Sequence, residues 1–180
     1  MEEYSYELKI PKERIAVLIG TDGAVKEELE SHAHATIEVD SEDGDVKLRG
    51  SDSIMLFQLK DVVKAVGRGF NPEIAMRLFK QDFILEMITM TDFVKSKNHM
   101  IRLKGRVIGK AGKARETLEQ LTDTNISVYG KTIGIIGFCD KVAVCKRALE
   151  SLLSGSPHSS VFKMLEKQQK QWKIEEKTDI

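Results

Sequence analysis

Gly109-Lys110-Ala111-Gly112 sets two glycines three residues apart between two helical patterns, with Lys113 directly after them. Glycine has no Cβ, so main-chain N–H groups there stay open to close approach. N–H groups at the opening of a helix add to its dipole and form an anion site. Lys110 and Lys113 bring positive charge to it. A phosphate backbone fits, and nucleic acid is the natural owner of one. A P-loop needs four residues between its glycines and then Gly-Lys-Ser/Thr. Here Gly105 and Gly109 enclose three residues and Ala111 follows Lys110, so no hydroxyl is placed for magnesium. A dinucleotide fingerprint fails because the segment before Gly109 reads as helix and not as strand.

A single Gly-x-x-Gly is a weak signal, but this one occurs twice. Shifting the chain by 89 positions lays Ile19-Gly20-Thr21-Asp22-Gly23 on Ile108-Gly109-Lys110-Ala111-Gly112. The same shift pairs Lys26 with Arg115, Glu27 with Glu116, Leu29 with Leu118, Glu30 with Glu119, Ile37 with Ile126 and Val39 with Val128. Two copies predict tandem domains, since a solenoid needs more repeats.

Each copy predicts the order β-α-α-β-β-α. In the first, a strand over Tyr4–Ile10 precedes a helix around Glu13–Ile19, the turn, and a helix over Ala24–Ala33. Strands follow over Thr36–Asp40 and Val46–Arg49, with Asp43-Gly44 between them as the turn. Ser51 or Asp52 caps a third helix whose apolar positions are Ile54, Leu56, Leu59, Val62, Val63 and Val66. In the second copy the strands fall at Ile84–Met90, Asn125–Val128 and Thr132–Phe138, and the closing helix at Asp140–Leu153. Asn71 caps a linker helix with Pro72 at its first position and Ile74, Ala75, Leu78 and Phe79 as its apolar face. This helix is expected to join the copies as a rigid pair. Ser156-Pro157 opens a last helix with Val161, Leu165 and Trp172 near one face, and residues 175–180 are expected to fray. The expected division is 1–69, 70–82, 83–155 and 156–180.

The chain has 180 residues, 41% of them apolar, enough for two small domains. No apolar run reaches a membrane span, and Met1-Glu2-Glu3 does not open a signal peptide. Two cysteines, Cys139 and Cys145, make no disulfide framework. Together these predict a cytoplasmic protein. Net charge is zero but unevenly spread: residues 1–69 carry 9 Lys/Arg against 15 Asp/Glu. Between Phe93 and Arg115 stand eight basic residues and no acidic one, bracketing the second turn. That is the footprint of an RNA-facing surface. His32 and His34 lack a third metal ligand, and no nucleophile–base pattern appears. No metal, cofactor or catalysis is expected.

The element order with Gly-x-x-Gly between the first two helices resembles the type I KH module, which binds single-stranded RNA. The run Arg106 to Glu119, with Gly130-Lys131-Thr132-Ile133 and Leu153-Ser154-Gly155-Ser156-Pro157, resembles one family in particular. That family is the small-subunit rRNA-processing KH protein called "partner of Nob one", in its archaeal form. The resemblance implies an α+β fold of two tandem type I KH domains, each a three-stranded antiparallel sheet with helices on one face. It implies a factor of pre-small-subunit ribosome assembly that binds near the rRNA 3′ end and assists the Nob-type endonuclease. A translation initiation factor subunit is a further expected partner. Eukaryotic members carry a longer N-terminal extension and a degenerate first turn, features this sequence lacks.

By the same resemblance, Gly109, Ala111 and Gly112 admit phosphates while Lys110 and Lys113 neutralise them. Arg102, Lys104, Arg106 and Arg115 extend that contact. Ile108, Leu118, Ile126 and Val128 are candidates for an apolar groove floor, and the strand around Ser127 reads base edges with its backbone. In the first copy Thr21 and Asp22 stand where Lys110 and Ala111 do, so Gly20, Thr21, Gly23 and Lys26 form a weak secondary site. Two rivals remain at this stage: a general KH adaptor, and a protein–protein scaffold in translation initiation.

Overall fold

The computed structural model describes residues 3–178 and divides into two units at Leu85/Glu86. The expectations for Met1, Glu2, Asp179 and Ile180 lie outside the described residues. The first unit runs β1 (Tyr4–Lys9), α1 (Lys12–Ile19), the first Gly-x-x-Gly turn, α2 (Ala24–Ala33), β2 (Ala35–Val39), β3 (Asp45–Gly50) and α3 (Ser53–Gly67). A short α4 (Pro72–Ala75) continues as a 3-10 turn through Phe79. The second unit takes up the order again with β4 (Phe83–Thr89), α5 (Lys97–Ile108), the second turn and α6 (Lys113–Thr122). It continues with β5 (Asn125–Tyr129), β6 (Thr132–Phe138), α7 (Cys139–Leu153) and α8 (His158–Thr178). The unit boundary falls inside β4, a little beyond the expected linker.

Each unit holds one three-stranded antiparallel sheet, with β3 central in the first and β6 central in the second. β2 and β5 are therefore edge strands, each following the second helix of its unit. The alternation along β3, with Val46 and Leu48 buried and the intervening residues more open, is the period of a half-covered sheet. Val46 and Leu48 join Leu18, Leu29 and Ile37 in one core; Ile133, Ile135, Leu118 and Leu149 build the other. Buried side chains of this size each stabilise by about 1.5–3 kcal/mol.

Local chemistry sets the boundaries. Asp52, not Ser51, caps α3: its Oδ1 accepts from the Ile54 and Met55 amides at 2.9 and 3.0 Å. Asn71 Oδ1 accepts from the Glu73 amide at 2.9 Å, with Pro72 at the first position of α4. Leu56, Leu59, Val62, Val63 and Val66 are buried as expected, but Ile54 is 72% exposed. It points away from the buried face of α3, on the side of half-exposed Phe57, although Leu56 in the same turn already packs against Gly50 of β3. In the linker, Ala75 and Leu78 are buried while Ile74 and Phe79 are only partly covered. Val161 and Leu165 seat α8 on its unit, and Trp172 is half-buried. The described part of the tail, through Thr178, is helical. No described helix is long and apolar enough to cross a membrane.

Candidate RNA interface

Two helices meet at each Gly-x-x-Gly with nearly the same backbone. Gly109, Ala111 and Gly112 have φ of 73°, 54° and 74°; Gly20, Asp22 and Gly23 have 76°, 54° and 81°. The two glycines of the second turn are required for different reasons. A Cβ on Gly109 would lie 2.5 Å from the Ala114 Cβ and 2.8 Å from its amide, so α6 itself excludes one. A Cβ on Gly112 would meet nothing within 4 Å. Gly112 is held by its left-handed conformation alone, and the space in front of it is open.

Within this turn the Gly109 amide donates to Gly105 at 2.8 Å and the Gly112 amide to Gly109 at 3.2 Å. The Lys110 and Ala111 amides find no described backbone acceptor. Lys110, Ala111 and Lys113 are all exposed, so the turn and the start of α6 lie at the surface. Ala111 is a non-glycine residue in the left-handed region, a strain of roughly 1–2 kcal/mol. Asp22 occupies the equivalent place at less cost, because a short polar side chain tolerates that region.

The basic residues around the turn separate into two groups. Ile101, Lys104, Gly105 and Ile108 lie along one face of α5 leading into the turn. Ile101 on this face is 67% exposed. Arg102 and Arg106 lie on another. Arg102 lines a recess of about 510 Å³ with Phe93, His99, Arg106 and Leu153. Arg106 is a clasp: its Nε donates to the Leu152 carbonyl at 3.3 Å and its Nη2 to the Ser156 carbonyl. His158 Nε2 bonds the Arg106 carbonyl at 2.7 Å. Arg115 is exposed at the first turn of α6.

The sequence places a groove beside the turn, where α6 packs against the edge strand β5. Leu118 and Ile126 are core side chains, so the sequence-derived floor is left to Ile108 and Val128, both partly exposed. Glu119 Oε1 accepts the Ile126 amide at 2.7 Å, which shows that this amide points to the open edge. Antiparallel alternation then sends the backbone of Val128 outward and that of Ser127 toward Gly134 of β6. Within the strand around Ser127, the backbone left at the open edge is therefore the Ile126 carbonyl and the groups of Val128, since Glu119 holds the Ile126 amide. This follows from strand parity, which the residues alone did not reveal.

The first unit repeats the geometry with other charges. Glu30 Oε1 accepts the Ile37 amide at 2.7 Å and stands 3.8 Å from Lys26 Nζ, so a carboxylate offsets that cation's charge. Thr21 is exposed there, between Gly20 and the Asp22 carboxylate.

Residues 84–170 match the family model of the second KH domain of PNO1, described as a eukaryotic type KH domain, type I. The chain is 44% identical over 170 residues to the KH domain-containing protein MJ0443 of Methanocaldococcus jannaschii, covering 92% of this chain and 74% of that one. The chain belongs to the PNO1/Dim2 family. The pre-rRNA-processing protein pno1 of Aspergillus fumigatus is 27% identical over 88% of this chain and 66% of its own length. Among solved structures, the Dim2p chain of an a/eIF2alpha–aDim2p–rRNA complex from Pyrococcus horikoshii superposes with TM-score 0.89 at 40% identity. That match covers 94% of this chain and 96% of the other. PNO1/Dim2 proteins are RNA-binding pre-rRNA-processing proteins with a KH-like fold.

Gly105 matters in the sequence only as the first glycine of a P-loop spacing that fails. It lies inside α5, where a Cβ would meet nothing within 4 Å, and the first copy has Ala16 there. Glycine weakens a helix interior by roughly 0.8–1.0 kcal/mol relative to alanine. Nothing inside the unit requires it, and that is the signal a comparison of the two copies would have given.

Proposed function

We propose that this chain is a single-stranded RNA-binding factor of small ribosomal subunit assembly, built from two tandem type I KH domains. The second holds the 3′ end of the small-subunit rRNA. The observation that carries this reading is the second turn: two donors without backbone acceptors, an open approach at Gly112 and two flanking lysines. A KH turn clamps a backbone of about four nucleotides. Here Gly109, Lys110, Ala111, Gly112 and Lys113 take the phosphates, with Lys104 and Arg115 beside them. Ile108 and the edges of Ile126 and Val128 take the bases. Arg102 lies on the periphery, and Arg106 acts through the packing of its unit.

The first domain, with Asp22 in its turn and Lys26 drawn to Glu30, contributes weakly through Gly20, Thr21 and Gly23. The chain acts in the cytoplasm and presents its RNA to a Nob-type endonuclease without catalysis of its own. The complex seen for the Pyrococcus relative makes the α subunit of the initiation factor a second partner in this reading.

Fluorescence anisotropy with a labelled strand matching the rRNA 3′ end tests it. A scrambled strand and the Lys110→Asp/Ala111→Asp variant run alongside at two salt concentrations. Preference for the cognate strand, lost in the variant, is the expected result. Equal affinity for both strands removes the rRNA assignment, and no binding to either removes the RNA function.

A further inference from the structure

The outward face of α8 carries Lys163, Lys167, Lys170, Lys173 and Lys177, spaced four, three, three and four residues apart. At 3.6 residues per turn these five fall in one stripe, about 21 Å long, opposite the face of Val161, Leu165 and Trp172 that covers the unit. All five are exposed, and none forms an ion pair with another described residue. Glu166 is the one carboxylate within the stripe. A helix kept merely soluble alternates Glu and Lys at i, i+4. This one has a single such pair, Glu166 with Lys170, and sets lysine against lysine at 163/167 and 173/177, an arrangement that weakens the helix. A polyanion would relieve this self-repulsion.

The stripe is fixed relative to the turn. α8 is tied at its start to α5 by the His158–Arg106 bond and midway to α6 by Gln169 Nε2, which donates to the Gln120 carbonyl at 3.1 Å. Ile174 is the one apolar residue inside the stripe, with Met164 at its border, so there is no broad apolar face to enter a bilayer. Ammonium groups about 5 Å apart along the axis suit a row of phosphates.

We infer that the lysine stripe of α8 is a second RNA-binding surface, engaging the phosphates of a double-helical segment that flanks the strand held at Gly109–Gly112. This rests on the RNA-binding reading above. The test compares the full-length chain with a variant in which all five lysines become glutamine, and with a second in which they become arginine. Each is titrated with the short 3′ strand and with the same strand extended by a hairpin stem, over a salt series. In the glutamine variant the short strand binds as before, while the affinity for the extended RNA drops at least about tenfold. Its log–log salt slope falls by about 0.9 for each phosphate that is no longer neutralised. The arginine variant retains both. If the glutamine variant binds the extended RNA with unchanged affinity and slope, the stripe serves another partner and the inference is overturned. If both RNAs weaken equally, the stripe is no separate surface, which also overturns it. Failure of the unaltered chain to bind either RNA overturns the RNA reading itself, a distinct result.

Discussion

Glu119 closes the edge of β5 by accepting the Ile126 amide at 2.7 Å, and Glu30 does the same for Ile37 at 2.7 Å. Both carboxylates come from the second helix of their unit and reach seven residues along the chain. Glu119→Ala strands a part-buried N–H and should cost about 1–2 kcal/mol, read as a lower urea midpoint. Glu119→Gln, which keeps an acceptor oxygen, should lose less than half of that.

Ala111 bears left-handed strain beside an open amide. Ala111→Gly should raise stability by about 1 kcal/mol in urea unfolding. Lys110→Asp/Ala111→Asp should fold normally, because Asp22 already holds the same φ in the first turn. Its RNA affinity should fall by more than about tenfold, or 1.4 kcal/mol. A melting temperature that collapses in this variant would count against the turn as a surface feature.

Gly105→Ala separates folding from binding. Alanine has room and strengthens α5, so the thermal midpoint should rise by an amount equivalent to about 0.8–1.0 kcal/mol. If the strand crosses α5 here, anisotropy should show weaker RNA binding from the more stable protein. An affinity that stays constant would move the strand off this face.

Arg106→Ala removes two bonds from one guanidinium and should destabilise by about 1–3 kcal/mol, with faster amide exchange at the start of α8. The salt slope for the short RNA should stay as it was. A slope smaller by about 0.7 would instead mark Arg106 as a phosphate ligand.

Cys145 is buried, accepts from Thr124 Oγ1 at 3.5 Å, and its thiol is pushed above the ordinary 9.0, chiefly by that burial. The folded state thus favours the neutral thiol. Its contribution is complete below pH 9.0 and declines as pH climbs from there toward the raised folded value. Urea midpoints of Cys145→Ala should fall less steeply over that alkaline range than those of the unaltered chain. Exposed Cys139 should be alkylated in the native state and Cys145 only after unfolding.

Features written in neighbouring residues were legible in the sequence. The Asn71-Pro72 cap, the bounds of α2 and β6 and both turns depend on a few adjacent side chains. What escaped depends on partners far along the chain. Arg106 has the composition of an RNA ligand, and only the approach of Leu152 and Ser156, 46 and 50 residues on, makes it a clasp. Which groups of the strand around Ser127 face the open edge turns on parity, since a shift of one residue exchanges the inner and outer backbone of an edge strand. Ile54 is apolar but off the spacing of α3: its i+3, i+4 and i+7 partners are Phe57, Gln58 and Asp61, none of them buried.

Arg14 clasps the end of α3 as Arg106 clasps the end of α7, donating to the Val66 and Phe70 carbonyls at 2.8 and 2.9 Å. The two arginines are not counterparts in the repeat. The 89-residue shift sets Arg14 on Leu103 and Arg106 on Val17, one helical turn apart. The halves have reached one solution from different rungs of the same ladder, so they are not interchangeable parts. A hybrid first helix that begins as α5 and switches to α1 after Leu103 inherits neither arginine. The reciprocal splice inherits both, competing for the same carbonyls. Recombination between the copies is penalised at that junction, which gives the chain a reason to keep its halves distinct.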